Sequence, residues 1–118
     1  SPTARDEKGQ IYNCNADIAA AQAAIALAAK RLVFMSDVPG LLRKPGDAES
    51  VIPHLNIAEV DELKQAGIIA KGMIPKVDSA VSAIGAGVDK VSFVDGRINH
   101  AVLLEIFTDK GVGTEIVK

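Results

Sequence analysis

Aromatic side chains are scarce in this chain: they make up 3% of it, and Trp is absent. A core built from such a sequence has to come from Ala, Val, Ile and Leu. The single cysteine, Cys14, excludes an intrachain disulfide and a multi-cysteine metal site, and it fits a reducing, cytoplasmic setting. Flanked by Asn13 and Asn15, it reads as a small packing residue rather than a reactive thiol. The two histidines, His54 and His100, lack metal-ligand spacing. No apolar run approaches the roughly 18–20 residues needed to span a bilayer, and the first residues lack a signal-peptide pattern, so no membrane role is expected. Net charge is −2 and Lys/Arg clusters stay at two or three residues, which argues against nucleic-acid binding through a basic face. Neither G-x-x-x-x-G-K-[ST] nor G-x-G-x-x-G occurs, and the pair Gly111-Val112-Gly113 precedes a strand rather than a helix. No Ser, His and carboxylate cluster stands out for nucleophilic catalysis.

What is present is an ordinary globular composition of 118 residues, 48% apolar and 24% charged, enough for one small domain or a piece of a larger one. Residues 1–10 are polar, with Pro2, Asp6 and Gly9, and read as turn or extended chain with something preceding them. An alanine-rich helix is expected over 15–30, capped by Asn15 or Asp17 and slim enough to lie close to a sheet. Residues 31–36 form a short apolar run suited to a buried strand, closed by the turn Asp37-Val38-Pro39-Gly40. Residues 41–51, containing Pro45-Gly46-Asp47, read as a hairpin-like excursion. Asn56-Ile57-Ala58-Glu59 is a capping box that opens a helix to about Ala66, stopped by Gly67. A further helix starts near Ile74 with Val77, Ala80, Val81 and Ile84 on one face, and Gly85 and Gly87 end it. Residues 90–94 are a strand closed by Asp95-Gly96, residues 100–107 a helix burying Leu103, Leu104 and Phe107, and residues 113–117 a terminal edge strand. Helices alternating with short apolar strands predict an α/β domain with a largely parallel sheet and no internal repeat.

In such sheets ligands lie beyond the carboxyl ends of the strands, where Asp37 and Asp95 both fall. The run Gly72-Met73-Ile74-Pro75-Lys76-Val77 has a glycine for a turn, a proline to open a helix, and a lysine in the first helical turn. A cation there is unfavourable for the helix itself, yet beside unpaired N–H groups it suits a migrating phosphoryl group. Asn13, Asn15 and Asp17 stand at alternating positions where extended chain enters a helix, so the two asparagines are placed to face one pocket. Helix capping explains part of that pattern, and two amides plus a carboxylate exceed what one cap requires.

Five ordered motifs carry a resemblance: 12–17 (Tyr12-Asn13-Cys14-Asn15-Ala16-Asp17), Ser36-Asp37-Val38-Pro39-Gly40, 72–77, Asp95-Gly96-Arg97, and His100 to Thr108 with Gly111-Val112-Gly113-Thr114. In order and spacing the chain resembles the C-terminal, nucleotide-binding half of acetylglutamate kinases. The resemblance implies the three-layer α/β/α sandwich of the amino-acid kinases (carbamate kinase-like), here its C-terminal lobe over residues 1–118. It implies transfer of the γ-phosphoryl group of ATP, carried with Mg²⁺ held by phosphates and water, to the side-chain carboxylate of N-acetyl-L-glutamate in arginine biosynthesis. By the same resemblance Lys76 stabilises charge on the transferring group, Asp17 orients the catalytic lysines, and Asn13 and Asn15 attend the acetylglutamate. Asp37, Val38, Pro39, Gly40, Leu41 and Leu42 would form the nucleotide loop, with Ile68, Ile69, Ala70 and Met73 lining the adenine side. His100, Glu105 and Gly111 match the segment with which arginine-inhibited members bind that feedback inhibitor.

The glycine-rich phosphate loop, the second catalytic lysine and most of the acetylglutamate pocket belong to the N-terminal half and have no counterpart in these residues. The chain alone is therefore expected not to turn over, and the full-length enzyme is expected to be a homo-oligomer. Two alternatives stay open: another amino-acid kinase, or the arginine-sensing kinase-like domain of an acetylglutamate synthase.

Overall fold

A computed structural model describes residues 2–70, 72–109 and 111–118; Ser1, Lys71 and Lys110 lie outside the described residues. The polar start of the chain forms a small antiparallel hairpin, β1 (Thr3–Arg5) and β2 (Ile11–Asn13), with Thr3 opposite Asn13. All six of its residues are exposed. Its turn is held by Asp6, whose Oδ1 accepts from the N–H groups of Lys8 and Gln10.

Helix α1 (Ala16–Ala26) starts on Asn15, as the capping pattern predicts, but stops four residues short of the expected end at Lys30. The stop is a helix-ending motif without its usual glycine: Ala28 adopts φ 48°, its N–H reaches the Ile25 carbonyl, and the Ala29 N–H reaches that of Ala24. The alanine-rich segment has no glycine or proline near its end and so carries no local signal for that termination. The chain turns there because β3 (Arg31–Ser36) must enter the sheet.

The main sheet has the order β3-β5-β6-β4, with β5 spanning Lys90–Asp95, β6 Thr114–Val117 and β4 His54–Asn56. β3 and β5 pair in parallel from Arg31 opposite Lys90 to Ser36 opposite Asp95. β4 and β6 are also parallel, while β5 and β6 run antiparallel. The last strand is therefore interior, not the edge strand expected; the edges are β3 and β4, and β4, three residues long and merging into the next cap, is too short to register as a strand in the sequence.

Between β3 and β5 the chain makes the hairpin-like excursion, with Leu42 bridged to Val51. It then enters a helical turn over Ile57–Glu59 on the Asn56/Glu59 capping box, and α2 (Val60–Gln65). Gly67, at φ +72°, turns the chain out of α2. Helix α3 (Ile74–Gly85) follows, with Pro75 in its first turn.

On one face of the sheet α1 and α3 pack together through small side chains: Ala21 and Ala24 from α1, Val77, Ala80, Ala83 and Ile84 from α3, all buried with Val91 and Phe93 of β5. This face of the parallel β3–β5 pair is thus covered by helices, as parallel strands require. Two of the four aromatics lie within this core, and Tyr12 and Phe107 are exposed. Phe34 stacks on Phe93, its register partner, with centroids 5.4 Å apart.

On the other face Val94 and Ala101 are buried where α4 (Ala101–Phe107) meets β5. The expected burial of the later α4 residues does not occur: Leu103 is 54% and Phe107 79% exposed, and Leu104 is exposed as well. Helical periodicity identifies an apolar stripe, but it does not say whether a neighbour exists to cover it. Among the described residues no helix is long and apolar enough to cross a membrane.

Candidate active site

Where α1 and α3 begin, their first turns meet. Asp17 is in the first turn of α1 and Lys76 is in that of α3, and the Lys76 ammonium donates to Asp17 Oδ1 at 2.7 Å. The two residues are 59 positions apart in sequence. Both side chains are mostly sheltered, Lys76 at 26% and Asp17 at 18% exposure. The ammonium also lies 6.0 Å from the centre of the Phe34 ring, on the side of its π-face.

The position of Lys76 makes local sense only with Asp17 present. A cation in a first helical turn opposes the helix dipole, whereas Asp17 in the first turn of α1 complements it. The pair is thus a positive group held in place by a carboxylate where two helices start. A sheltered ammonium so fixed is suited to an anion whose charge is spread over several oxygens.

Asn15 is committed to capping: its Oδ1 accepts from the N–H groups of Asp17 at 2.9 Å and Ile18 at 3.1 Å. Asn13 is the exposed last residue of β2. Neither lines the cavity of about 340 Å³ between α1 and α3, whose walls include Ile18, Ala21, Gln22, Pro75 and Ser79. Ile18 and Pro75 are the sequence neighbours of Asp17 and Lys76, so this cavity opens beside the ion pair. Nothing in the sequence announced it, because it arises from small side chains on two distant helices.

The 37–42 segment leaves the carboxyl end of β3, as expected for a ligand-facing loop. Gly40 adopts φ +145° and lies against Thr114, while Leu41 is buried and donates its N–H to Thr114 Oγ1 at 2.8 Å. Beside the loop, at the end of β5, Arg97 grips Asp95 through Nε and Nη2 at 2.9 and 2.7 Å. Hydrogen bonds from the Arg97 side chain and backbone lower the Asp95 carboxyl to about 2. Arg97 is raised in turn, mainly by Asp95 and to a smaller extent by Asp37. The Gly96 N–H is bonded to the Ser36 carbonyl at 2.8 Å, which ties this turn to the start of the loop. The Arg97 clamp was missed in the sequence, although Asp-Gly-Arg spacing is the signal for it: one turn returns the guanidinium to the carboxylate two residues back.

On the expected adenine side, Ile69 is a core residue, Ile68 and Met73 pack partly against the core, and Ala70 is exposed. Glu105 and Gly111 are brought together: Glu105 Oε2 accepts the Val112 N–H at 3.0 Å, and Gly111, at φ +60°, lies against the same carboxylate. They border a polar cavity of about 270 Å³ with Arg31, Lys90 and Glu115, the last two forming an ion pair. His100 is not among its walls. It precedes α4 in the left-handed region, at φ 62°. Among the described residues no three His, Cys, Asp or Glu side chains converge on a metal position.

With this geometry in view, the comparisons with known proteins are specific. The pattern of the amino acid kinase family matches residues 1–95. The chain is 47% identical over 117 residues to the acetylglutamate kinase of Syntrophomonas wolfei, covering 99% of this chain and 41% of that protein. It is 50% identical over 114 residues to that of Carboxydothermus hydrogenoformans, covering 97% and 39%. It therefore spans about two fifths of the length of these curated relatives. Among solved structures it superposes on N-acetylglutamate synthase from Neisseria gonorrhoeae, in complexes with coenzyme A and either N-acetyl-glutamate or L-arginine. The TM-scores are 0.89 and 0.88 at 30% identity, over 99% of this chain and 26% of that one. A family match over most of the sequence, on a fold that builds one sheltered Lys–Asp pair at two helix starts, leads to one conclusion: the chain belongs to the amino acid kinase family.

Proposed function

We propose that the protein carrying this chain transfers the γ-phosphoryl group of ATP to the side-chain carboxylate of N-acetyl-L-glutamate, and that these residues supply its nucleotide-binding half. The observation that carries the reading is the Lys76–Asp17 pair at the joined starts of α1 and α3. The names of relatives 47% and 50% identical supply the acceptor.

Phosphoryl transfer asks little covalent chemistry of a protein. It needs in-line positioning and neutralisation of negative charge on the transferring group. Lys76 provides a preorganised positive charge, and Asp17 fixes the ammonium so that it does not have to be ordered during the reaction. The 37–42 loop and Met73 are the surfaces offered to the nucleotide, and Mg²⁺ would come with the ATP phosphates. Asn13 and the free amide of Asn15 are assigned to the acetylglutamate side. Glu105 and Gly111, beside the polar cavity under α4, are assigned to a guanidinium ligand, arginine, acting as feedback inhibitor; His100 is placed near the same segment by sequence alone. A cytoplasmic homo-oligomer goes with this reading.

The experiment is a hydroxylamine-trapping assay on the full-length protein with ATP, Mg²⁺ and N-acetyl-L-glutamate. An acyl phosphate product gives a hydroxamate that depends on both substrates; no hydroxamate from a folded protein contradicts the proposal. The 118-residue chain by itself is expected to give none. A second reading, an arginine-sensing domain of an acetylglutamate synthase, is favoured by the TM-score of 0.89. Coenzyme A-dependent acetylation of glutamate in place of hydroxamate formation would select it. The Lys76–Asp17 pair favours the kinase, because a pure sensor has no need of a phosphoryl-transfer lysine.

A further inference from the structure

Thr114 is remote from the Lys76–Asp17 pair in sequence and contacts Leu41 of the 37–42 loop. It is fully buried, opens β6, and sits opposite Phe93 in the sheet. Two hydrogen bonds tie Leu41 to the rest of the domain: Ile52 N–H donates to Leu41 O at 2.8 Å, and Leu41 N–H donates to Thr114 Oγ1 at 2.8 Å. At the loop's start Gly96 N–H donates to Ser36 O at 2.8 Å, and the Ser36 hydroxyl bonds the backbone of nearby Val38. Of these, the Thr114 bond alone joins the loop to a side chain distant in sequence, 73 positions away.

The fit around that bond is close. A Cβ on Gly40 would lie 2.6 Å from Thr114 Oγ1 and 3.1 Å from its backbone nitrogen. Gly113, the residue before, runs so near the Phe93 carbonyl that no side chain fits there. The strand start and the loop are thus packed backbone to backbone, and the hydroxyl is the group that joins them.

We propose that Thr114 is a positioning residue for the nucleotide: its hydroxyl holds the 37–42 loop in the conformation that receives ATP. This rests on the assignment of that loop to ATP made above. Removing the hydroxyl leaves the Leu41 N–H buried without a partner, and the loop relieves this by leaving its place. ATP then binds to a protein in which the competent loop is a minor population, and its apparent affinity falls by that fraction.

The test compares Thr114→Val with Thr114→Ser in the full-length protein. Two readouts are used: amide hydrogen exchange at residues 38, 40, 41 and 42, and ATP affinity by isothermal titration. Thr114→Val keeps the branched shape and loses the hydroxyl; it should speed exchange in the loop and weaken ATP binding about tenfold. Thr114→Ser keeps the hydroxyl and should stay within about twofold of the parent on both counts. Should the valine variant fail to fold, Thr114→Ala puts the same question. Unchanged exchange in a folded hydroxyl-less variant overturns the proposal, as does equal damage by serine. Faster exchange with unaltered ATP affinity leaves Thr114 as the anchor of the loop and overturns the assignment of the loop to ATP.

Discussion

The two faces of the sheet are built to different standards. Under α1 and α3 the chain closes its own core: small side chains from both helices pack on Val91 and Phe93, and the ring pair Phe34–Phe93 lies at the centre. Under α4 a seven-residue helix buries Ala101 and leaves Leu103 and Phe107 in solvent beside a cavity walled by charged groups. The closed face ends at the Lys76–Asp17 pair. Rigid packing beneath an ion pair holds it in one geometry, whereas a polar, incompletely covered face is suited to a ligand or neighbour that comes and goes.

The largest expected contrast is between single truncations on the two faces. Phe93→Ala removes a fully buried ring and its stacking partner's contact, and should destabilise the fold by about 3–5 kcal/mol in denaturant titration. The packed face also has a built-in weakness at Ala28, held at φ 48°. Ala28→Gly should raise stability by about 1 kcal/mol, seen as a higher denaturation midpoint at unchanged slope. A lower midpoint for Ala28→Gly would contradict a left-handed Ala28 at the end of α1.

Acid reads out the strand ends between the two faces. Asp95 is lowered from 3.8 to about 2 by Arg97. Its contribution is therefore complete above pH 4 and is lost as pH falls toward 2, because the unfolded carboxyl takes up a proton first. Asp95→Asn should flatten the stability–pH curve in that window. An identical curve in the variant would show that the Arg97 clamp contributes nothing. Smallest of all, Phe107→Ser on the open face should change stability by no more than about 0.5 kcal/mol in the isolated chain. A loss as large as that for Phe93→Ala would mean that α4 is covered after all.

The same contrast explains what could be read in advance. β3, β5 and α3 were legible because apolar runs and a proline-started, glycine-ended helix state their structure locally. The end of α1 was not, since alanine continues through a turn that tertiary packing imposes at Ala28. β4 was hidden by its length, and the exposure of Leu103 and Phe107 by the fact that an amphipathic stripe is silent about its partner. In the site, Lys76 stood out by its position in a first helical turn and Asp17 by its spacing from Asn13 and Asn15, while the role of Asp17 came from the family resemblance. Their contact, like that of Leu41 with Thr114, joins residues far apart in sequence, which no local pattern encodes.

Steady-state kinetics of Lys76→Ala in the full-length protein test most directly the role proposed for Lys76, stabilising charge on the transferring phosphoryl group. The expected result is a fall in kcat of about 10²–10³-fold with little change in the KM for ATP, as for a group acting on charge that develops during transfer. A kcat equal to that of the parent protein would contradict it.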